Sequence, residues 1–402
     1  MFVHEDNFFF KVRQFIGGKN DYICFKTFFS VFAHDIEKNL LVLPANITNS
    51  SDIGMKKNIR ILDIAEKAGV SIGTVDRVLH ERGEVSKETR DKILGIIKDY
   101  DYHPNILASS LASKKLIKFA SLTPWAPDKD AFWSKPMEGI GKAINQFRQY
   151  GIVLKQFHFK MEEPETFNVE AARILELSPD GILLAPWAKM ESLKFTQELD
   201  QRSIPYVFID SYLKEANPIS FIVQDSVQSG FLAAKLIDYG IVEGGNVLVI
   251  HITKNLRNAN HLLQREKGFF DYFEKYNCKK PKLIKIEVSP DEIEMNLKAY
   301  LEGITNIQGV FVTNSKVHLV AGFFNSLEER PKIIGYDLIP RNVDLLMKGK
   351  IDFLLNQKPE AQGYMAASLL FDQIVRKEKV KSANYTSIDI ITRENFEYYS
   401  SI

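Results

Sequence analysis

The chain has 402 residues, enough for two or three domains. Hydrophobic residues make up 45% and charged residues 26%, which excludes a disordered chain, a collagen and a coiled-coil rod. The formal charge is +1, so any nucleic-acid site has to be a local concentration of positive charge. The two cysteines, Cys24 and Cys278, form neither a disulfide framework nor a CxxC zinc pair, and suit a reducing compartment. No apolar run reaches the ~18 residues of a membrane span. The start, His4-Glu5-Asp6, lacks the basic region of a secretion signal, so the chain reads as cytoplasmic.

Residues 1–54 are Phe-rich, show no sustained period and end in a polar stretch from Asn46 to Asp52. They read as a poorly ordered extension ahead of Met55, most simply a misassigned start. Residues 55–118 hold thirteen Lys/Arg against nine Asp/Glu, a small basic block before a near-neutral remainder. Within it, Ile61, Ile64, Ala65 and Ala68 share a helical face, and Gly69 stops that helix. Ser71 caps a second helix holding Val75, Val78 and Leu79, and Ser86 a third with Ile93, Ile96 and Ile97 inward. A fourth, short and rich in small residues, runs from Asn105 to Ser113.

From Ile117 onward short apolar strands alternate with amphipathic helices. The strands are Ile117–Leu122, Ile152–Phe157, Gly181–Ala185, Tyr206–Ile209, Phe221–Val223, Val247–Ile250, Lys282–Ile286, Val310–Val312 and Lys332–Ile334. Such alternation predicts parallel sheet covered by helices on both faces. The length of this part predicts two similar lobes.

A helix, a Gly-containing turn and a capped second helix, Ile61 to His80, fit a helix-turn-helix. Val70, Val75 and Val78 fill the helix interface, leaving Ile72, Gly73, Asp76, Arg77 and His80 outward. Arg77 can read guanine bidentately in a major groove, while Ser71 and Thr74 bond phosphates. The bland alternatives are a generic three-helix domain and a solvated arginine.

The stretch resembles the lactose-repressor (LacI) family of bacterial transcription regulators. The resemblance rests on D-I-A-x-x-A-G-V-S-x-x-T-V-x-R-V-L from Asp63 to Leu79 and V-S-x-x-T-R from Val85 to Arg90. It continues through Y-x-P-N from Tyr102 to Asn105 and L-A-x-S-L from Leu107 to Leu111, and covers almost all of 59–402. It implies an α/β protein: an N-terminal all-α helix-turn-helix head at 55–103, a hinge helix and linker at 104–116, and an effector-binding core at 117–402. That core is two-lobed, with doubly wound parallel sheets of the periplasmic-binding-protein kind. Lobe 1 is expected at about 117–223 and 355–381, and lobe 2 at about 224–354 and 382–402. A homodimer, a pseudo-palindromic double-stranded operator and a repressor role follow from the same resemblance. Asn105, Ala108 and Leu111 then lie in the minor groove, Leu111 wedging apart the central base step or, on the bland reading, packing a linker. Three departures blur the operator sequence: Asp76 replaces the usual Ser, Ser109 the usual Arg, and Arg60 the usual capping Ser/Thr. The last residues, Arg393 to Ile402, carry no leucine heptads, so a dimer is expected and not a tetramer.

The core's resemblance places a small carbohydrate between the lobes, at the carboxyl ends of their strands. Phe132, Trp133 and Trp187 are positioned to stack on a sugar ring, Trp187 alternatively on the other lobe. Asp210 ends a strand, Asp225 opens the second lobe or caps its first helix, and Arg265 begins Arg-Glu-Lys-Gly-Phe269. Asn314 follows a strand, Asp337 ends Gly335-Tyr336-Asp337, and Gln357 sits at the last crossover. Together they form a polyol-binding set. No nucleophile elbow, P-loop, HExxH or dinucleotide fingerprint is present, so the chain reads as no enzyme, with no cofactor, metal or membrane. The competing readings are a transport solute-binding protein, which would want a signal peptide and no helix-turn-helix, and a sugar-modifying enzyme with a DNA-binding head.

Overall fold

A computed structural model describes residues 59–79, 82–100, 102, 116–127, 131–254, 256, 259–276, 279–324 and 330–400. The chain divides into two units, 1–104 and 105–402.

In the first unit, α1 (Ile61–Ala68) buries Ile64, Ala65 and Ala68. Arg60 is a poor cap by type, but its backbone N–H donates to the Asp63 carboxylate at 2.8 Å. An orphan donor at the helix start is thereby satisfied. Gly69 ends α1 in the left-handed region, φ 72°, and its N–H closes the last turn on Ala65 and Glu66. The Ser71 hydroxyl accepts from the Thr74 N–H at 3.2 Å, starting α2 (Ile72–Leu79). Ser86 starts α3 (Lys87–Asp99) in the same way. Ile64, Ala65, Ala68, Val75, Val78 and Ile93 make one small core.

The second unit begins with β1 (Ile117–Pro124), α4 (Ser134–Phe147), β2 (Ile152–Phe159), α5 (Pro164–Leu177), β3 (Gly181–Leu184), α6 (Lys189–Gln201), β4 (Tyr206–Ile209) and β5 (Ser220–Gln224). It continues with α7 (Ser226–Gly240), β6 (Asn246–Ile252), α8 (Asn260–Tyr276), β7 (Lys282–Val288), α9 (Ile293–Leu301), β8 (Ile307–Val312), α10 (His318–Ala321), β9 (Lys332–Tyr336), α11 (Pro340–Met347) and β10 (Phe353–Asn356). After β10 come α12 (Pro359–Phe371), β11 (Ala383–Thr386), β12 (Asp389–Ile391) and α13 (Glu397–Ser400). Two six-stranded sheets result, ordered β11-β5-β4-β3-β1-β2 and β12-β10-β9-β8-β6-β7. All ladders are parallel except β10 with β12. Each sheet is covered on both faces, which is why strands such as Gly181–Leu184 are apolar throughout and buried at every position.

The chain changes lobes three times, and each change falls later than the sequence reading put it. Gln224 still belongs to β5 and Asn356 to β10. β11 pairs with β5, Ala383 opposite Phe221, so lobe 1 extends through 386 rather than 381. β10, β11 and β12 had no expectation of their own; the last two are short and carry polar residues, Asn384, Thr386 and Asp389, where an apolar run would mark a strand. Gln224 ties the three passes together, its Nε2 donating to Asn356 O at 3.0 Å and Ser387 O at 3.2 Å.

The lobes share one packing device. A Cβ on Gly230 of α7 would lie 1.9 Å from Arg265 O, and one on Gly268 of α8 1.8 Å from Val227 O. In lobe 1, Gly139 of α4 and Gly363 of α12 meet Glu360 O and Pro136 O in the same reciprocal way. Only glycine lets the two backbones approach so closely.

Candidate effector cleft and DNA-facing helix

On α2 the outward residues form a bonded cluster. Ser71 Oγ and Thr74 Oγ1 are 3.0 Å apart. Arg77 donates from Nε to Gly73 O at 3.2 Å and from its terminal nitrogen to Thr74 Oγ1 at 3.4 Å. Ile72 is 45% exposed, an apolar side chain of the helix left to solvent. Asp76 is half-buried on the same helix. His80, Asn105, Ala108 and Leu111 lie outside the described residues.

In the second unit, Asp210 directly follows β4 of one lobe and Asp337 directly follows β9 of the other. Both aspartates sit in the left-handed region, φ 71° and 67°. Their backbone N–H groups still bond the neighbouring strand, Asp210 to Ile222 O at 3.0 Å and Asp337 to Leu355 O at 3.1 Å. That conformation is costly for a side-chain-bearing residue, and it turns each carboxyl off the end of its strand. The Asp210 N–H is also held by Gln362 Oε1 at 3.1 Å, from α12.

Arg265, on α8, is 2% exposed and lies 3.8 Å from the centroid of the Tyr336 ring. One terminal nitrogen donates to Thr313 O at 2.7 Å and the other to Gln357 Oε1. Its Nε is buried and has no acceptor among the described residues. Gln357 passes the chain on, its Nε2 donating to Asp337 Oδ2 at 2.8 Å and its N–H to Oδ1 at 3.4 Å. Burial pushes the Asp337 carboxyl up to about 7, opposed by Arg265 and Gln357 and reinforced by Asp210. Burial likewise lifts Asp210 to about 6, with Arg265 opposing. His261, at the start of α8, is pushed down to about 3 by burial and by Arg265, so it stays neutral. The cleft therefore offers two high-pKa carboxyl acceptors, a guanidinium fork and a neutral imidazole.

The structure brings Asp210, Arg265, Asp337 and Gln357 into one coupled group. The other expected residues are engaged differently. Trp187 lies against His261, ring centroids 5.6 Å apart, and packs on Leu256, Ala259 and Leu262 of the other lobe. Asn314 holds its own loop, donating to Ile252 O at 2.9 Å and accepting from Lys316 N at 3.1 Å. Asp225 is exposed and caps α7, accepting from Gln228 N at 2.9 Å. Trp133 precedes α4, 5% exposed and edge-on to Phe132 at 5.4 Å. Thr313, Tyr336 and Gln362 were not anticipated as parts of the site. Gln362 left a readable trace, a lone amide on the otherwise apolar buried face of α12 formed by Gly363, Ala366, Ala367, Leu370 and Phe371.

Two parallel-sheet lobes joined by three crossings, with a buried polar cluster where strand ends of both lobes meet, define a two-lobed α/β fold that follows a helix-turn-helix head in the chain. Residues 121–378 match the periplasmic binding protein domain profile, and residues 60–105 that of bacterial regulatory proteins of the lacI family. The chain belongs to the periplasmic binding protein domain family and carries a LacI-type head. It is similar to the HTH-type transcriptional regulator DegA of Bacillus subtilis, 29% identical over 177 residues, 44% of this chain and 50% of that one. It is also similar to the ribose operon repressor of Halalkalibacterium halodurans, 26% identical over 287 residues, 70% of this chain and 80% of that one. A crystal structure from Bacteroides fragilis, assigned to the LacI transcriptional regulators, superposes with a TM-score of 0.67 at 29% identity. It covers 71% of this chain and all of that one. The match with DegA thus spans about half of that relative's length. Among the described residues no helix is long and apolar enough to cross a membrane.

Proposed function

We propose that the protein is a cytoplasmic transcriptional repressor, a homodimer on pseudo-palindromic operator DNA, controlled by a small neutral carbohydrate in the cleft. Its head belongs with the DNA readers, and Arg77, Ser71 and Thr74 are the outward polar groups of α2 that meet bases and phosphates. The observation that carries the sensor half is Arg265, a buried guanidinium whose Nε has no acceptor among the described residues, beside two carboxyls from opposite lobes. A polyol alternates acceptors and donors in that way: ring and hydroxyl oxygens toward Arg265, hydroxyl hydrogens toward Asp210 and Asp337. Because the two carboxyls come from different lobes, a ligand joining them binds the closed arrangement better than the open one. That difference in affinity is what can bias a second site. The ligand leaves as it entered, with no turnover.

The test is calorimetric titration of the full-length protein with D-ribose and a set of pentoses and hexoses, with and without operator DNA. Saturable binding of one sugar that shifts operator affinity is expected, as is loss of one to two orders of magnitude in Asp337→Ala, the usual cost of a charged hydrogen bond at about 1.5–3 kcal/mol. Full sugar affinity in Asp337→Ala would sink this cleft as the effector site, and product formation during incubation would sink the sensor reading.

A further inference from the structure

Behind the cleft lies a histidine that the ligand set does not include. His251, in β6, is 0% exposed. Its Nδ1 is 2.9 Å from Thr313 Oγ1 at the end of β8, and its Nε2 bonds the Glu266 carboxylate on α8. Glu266 is anchored from the far side by Lys285 of β7, whose Nζ lies 3.1 Å from Oε1 and 2.9 Å from Oε2. Both of His251's partners are attached to Arg265. Glu266 is its neighbour in sequence, and the carbonyl of Thr313 accepts its guanidinium at 2.7 Å.

We propose that His251 is a positioning residue for the effector site: it fixes Glu266, the neighbour of Arg265 on α8, and Thr313, the strand-end residue whose carbonyl receives the Arg265 guanidinium. This rests on the reading of the cleft as an effector site. An ionised carboxylate only accepts, so Nε2 carries the proton and donates to Glu266, leaving Nδ1 to accept from the Thr313 hydroxyl. A single neutral tautomer thereby locks α8 and the end of β8 to β6. The charged groups around the imidazole are Glu266 from α8, with Lys285 and Glu287 from β7, and burial lowers the ring's proton affinity, which keeps it neutral. Such outer partners hold a binding group in its working geometry, as they do behind metal ligands.

The experiment uses the full-length chain and whichever of D-ribose, D-arabinose, D-glucose or D-galactose binds the parent best. His251→Leu removes both links, His251→Gln keeps a donor for Glu266, and His251→Asn keeps a partner for Thr313. Weakening of about tenfold is expected for His251→Leu, the scale of one lost net hydrogen bond, with partial recovery in each amide variant. In an Arg265→Lys background, His251→Leu should add nothing, whereas a merely structural role would weaken binding equally in both backgrounds. The ligand-free crystal structure of His251→Leu, or of the amide variants should it fail to fold, should show the guanidinium displaced from Thr313 O. An unmoved guanidinium would overturn the proposal even if no sugar in the set bound the parent, a result that would count against the effector reading alone.

Discussion

Asp337 is a carboxyl whose charge the fold holds at a cost. Its pKa in the folded chain is about 7 against an ordinary 3.8, with burial as the main cause. Between those values the native state binds more protons than the unfolded one, so the contribution to stability is intact below about pH 4 and lost as the pH rises through 7. Asp337→Asn should therefore stabilise the ligand-free protein at pH 8, by an amount on the order of a few kcal/mol, and give little gain at pH 4. Thermal melts of both proteins across that range check it; a Tm difference that does not change with pH would show the carboxyl titrates normally. The same linkage makes binding release protons, because hydroxyl donors favour the carboxylates. Sugar affinity should rise from pH 5.5 to 8, with calorimetric heats that depend on the buffer's ionisation enthalpy. Arg265 and Asp337 stood out in the sequence as candidates because short motifs surround them, and the structure joins them through Gln357. Thr313 was not, because it acts on Arg265 through its backbone carbonyl, which any residue type would supply.

Two helices invite opposite glycine substitutions. Gly230→Ala places a methyl 1.9 Å from Arg265 O, so α8 must shift away from α7. A cost of about 1–3 kcal/mol is expected, together with weaker sugar binding, since the displaced backbone is that of Arg265, the proposed ligand donor. Gly141, in α4, has open space out to 4 Å around the position an added methyl would take, and Gly141→Ala should stabilise by about 0.5–1 kcal/mol. Chemical unfolding of both variants separates the two cases. For α2, Arg77→Ala should weaken specific operator binding by about 1–3 kcal/mol and relax one base position per half-site, read by competition binding at fixed salt. Unchanged specificity would remove α2 as the reading helix. The long alternation of apolar runs and amphipathic stretches made nine strands readable in the sequence. The glycine pairs were not readable as a crossing, because their meaning lies in a partner helix distant in sequence, as with Gly139 and Gly363.

At the scale of the molecule, lobe membership is decided at three short crossings, and those were the least legible features. Nothing in a four-residue strand such as Ala383–Thr386 says which of two sheets it joins. The decision is made by its partner, β5, and by the Gln224 amide that gathers the crossings. Gln224→Leu removes the donor to the carbonyls of Asn356 and Ser387 and should loosen the lobes. A larger radius of gyration in small-angle scattering and weaker sugar binding are expected, while an unchanged profile would place the hinge elsewhere.

The discontinuity of the lobes has a consequence for synthesis. The helix-turn-helix core is drawn from one contiguous stretch and can fold as soon as it leaves the ribosome. The sheet of lobe 1 cannot be completed then, because α12 and β11, which cover and extend it, are translated after all of β6 to β10. A nascent chain stalled after residue 357 should expose the apolar face of lobe 1 that Ala366, Ala367, Leu370 and Phe371 later close. Such an intermediate is a client for chaperones. Arrest-peptide force profiles along the transcript should show an early pull for the head and none for lobe 1 until residue 386 has emerged.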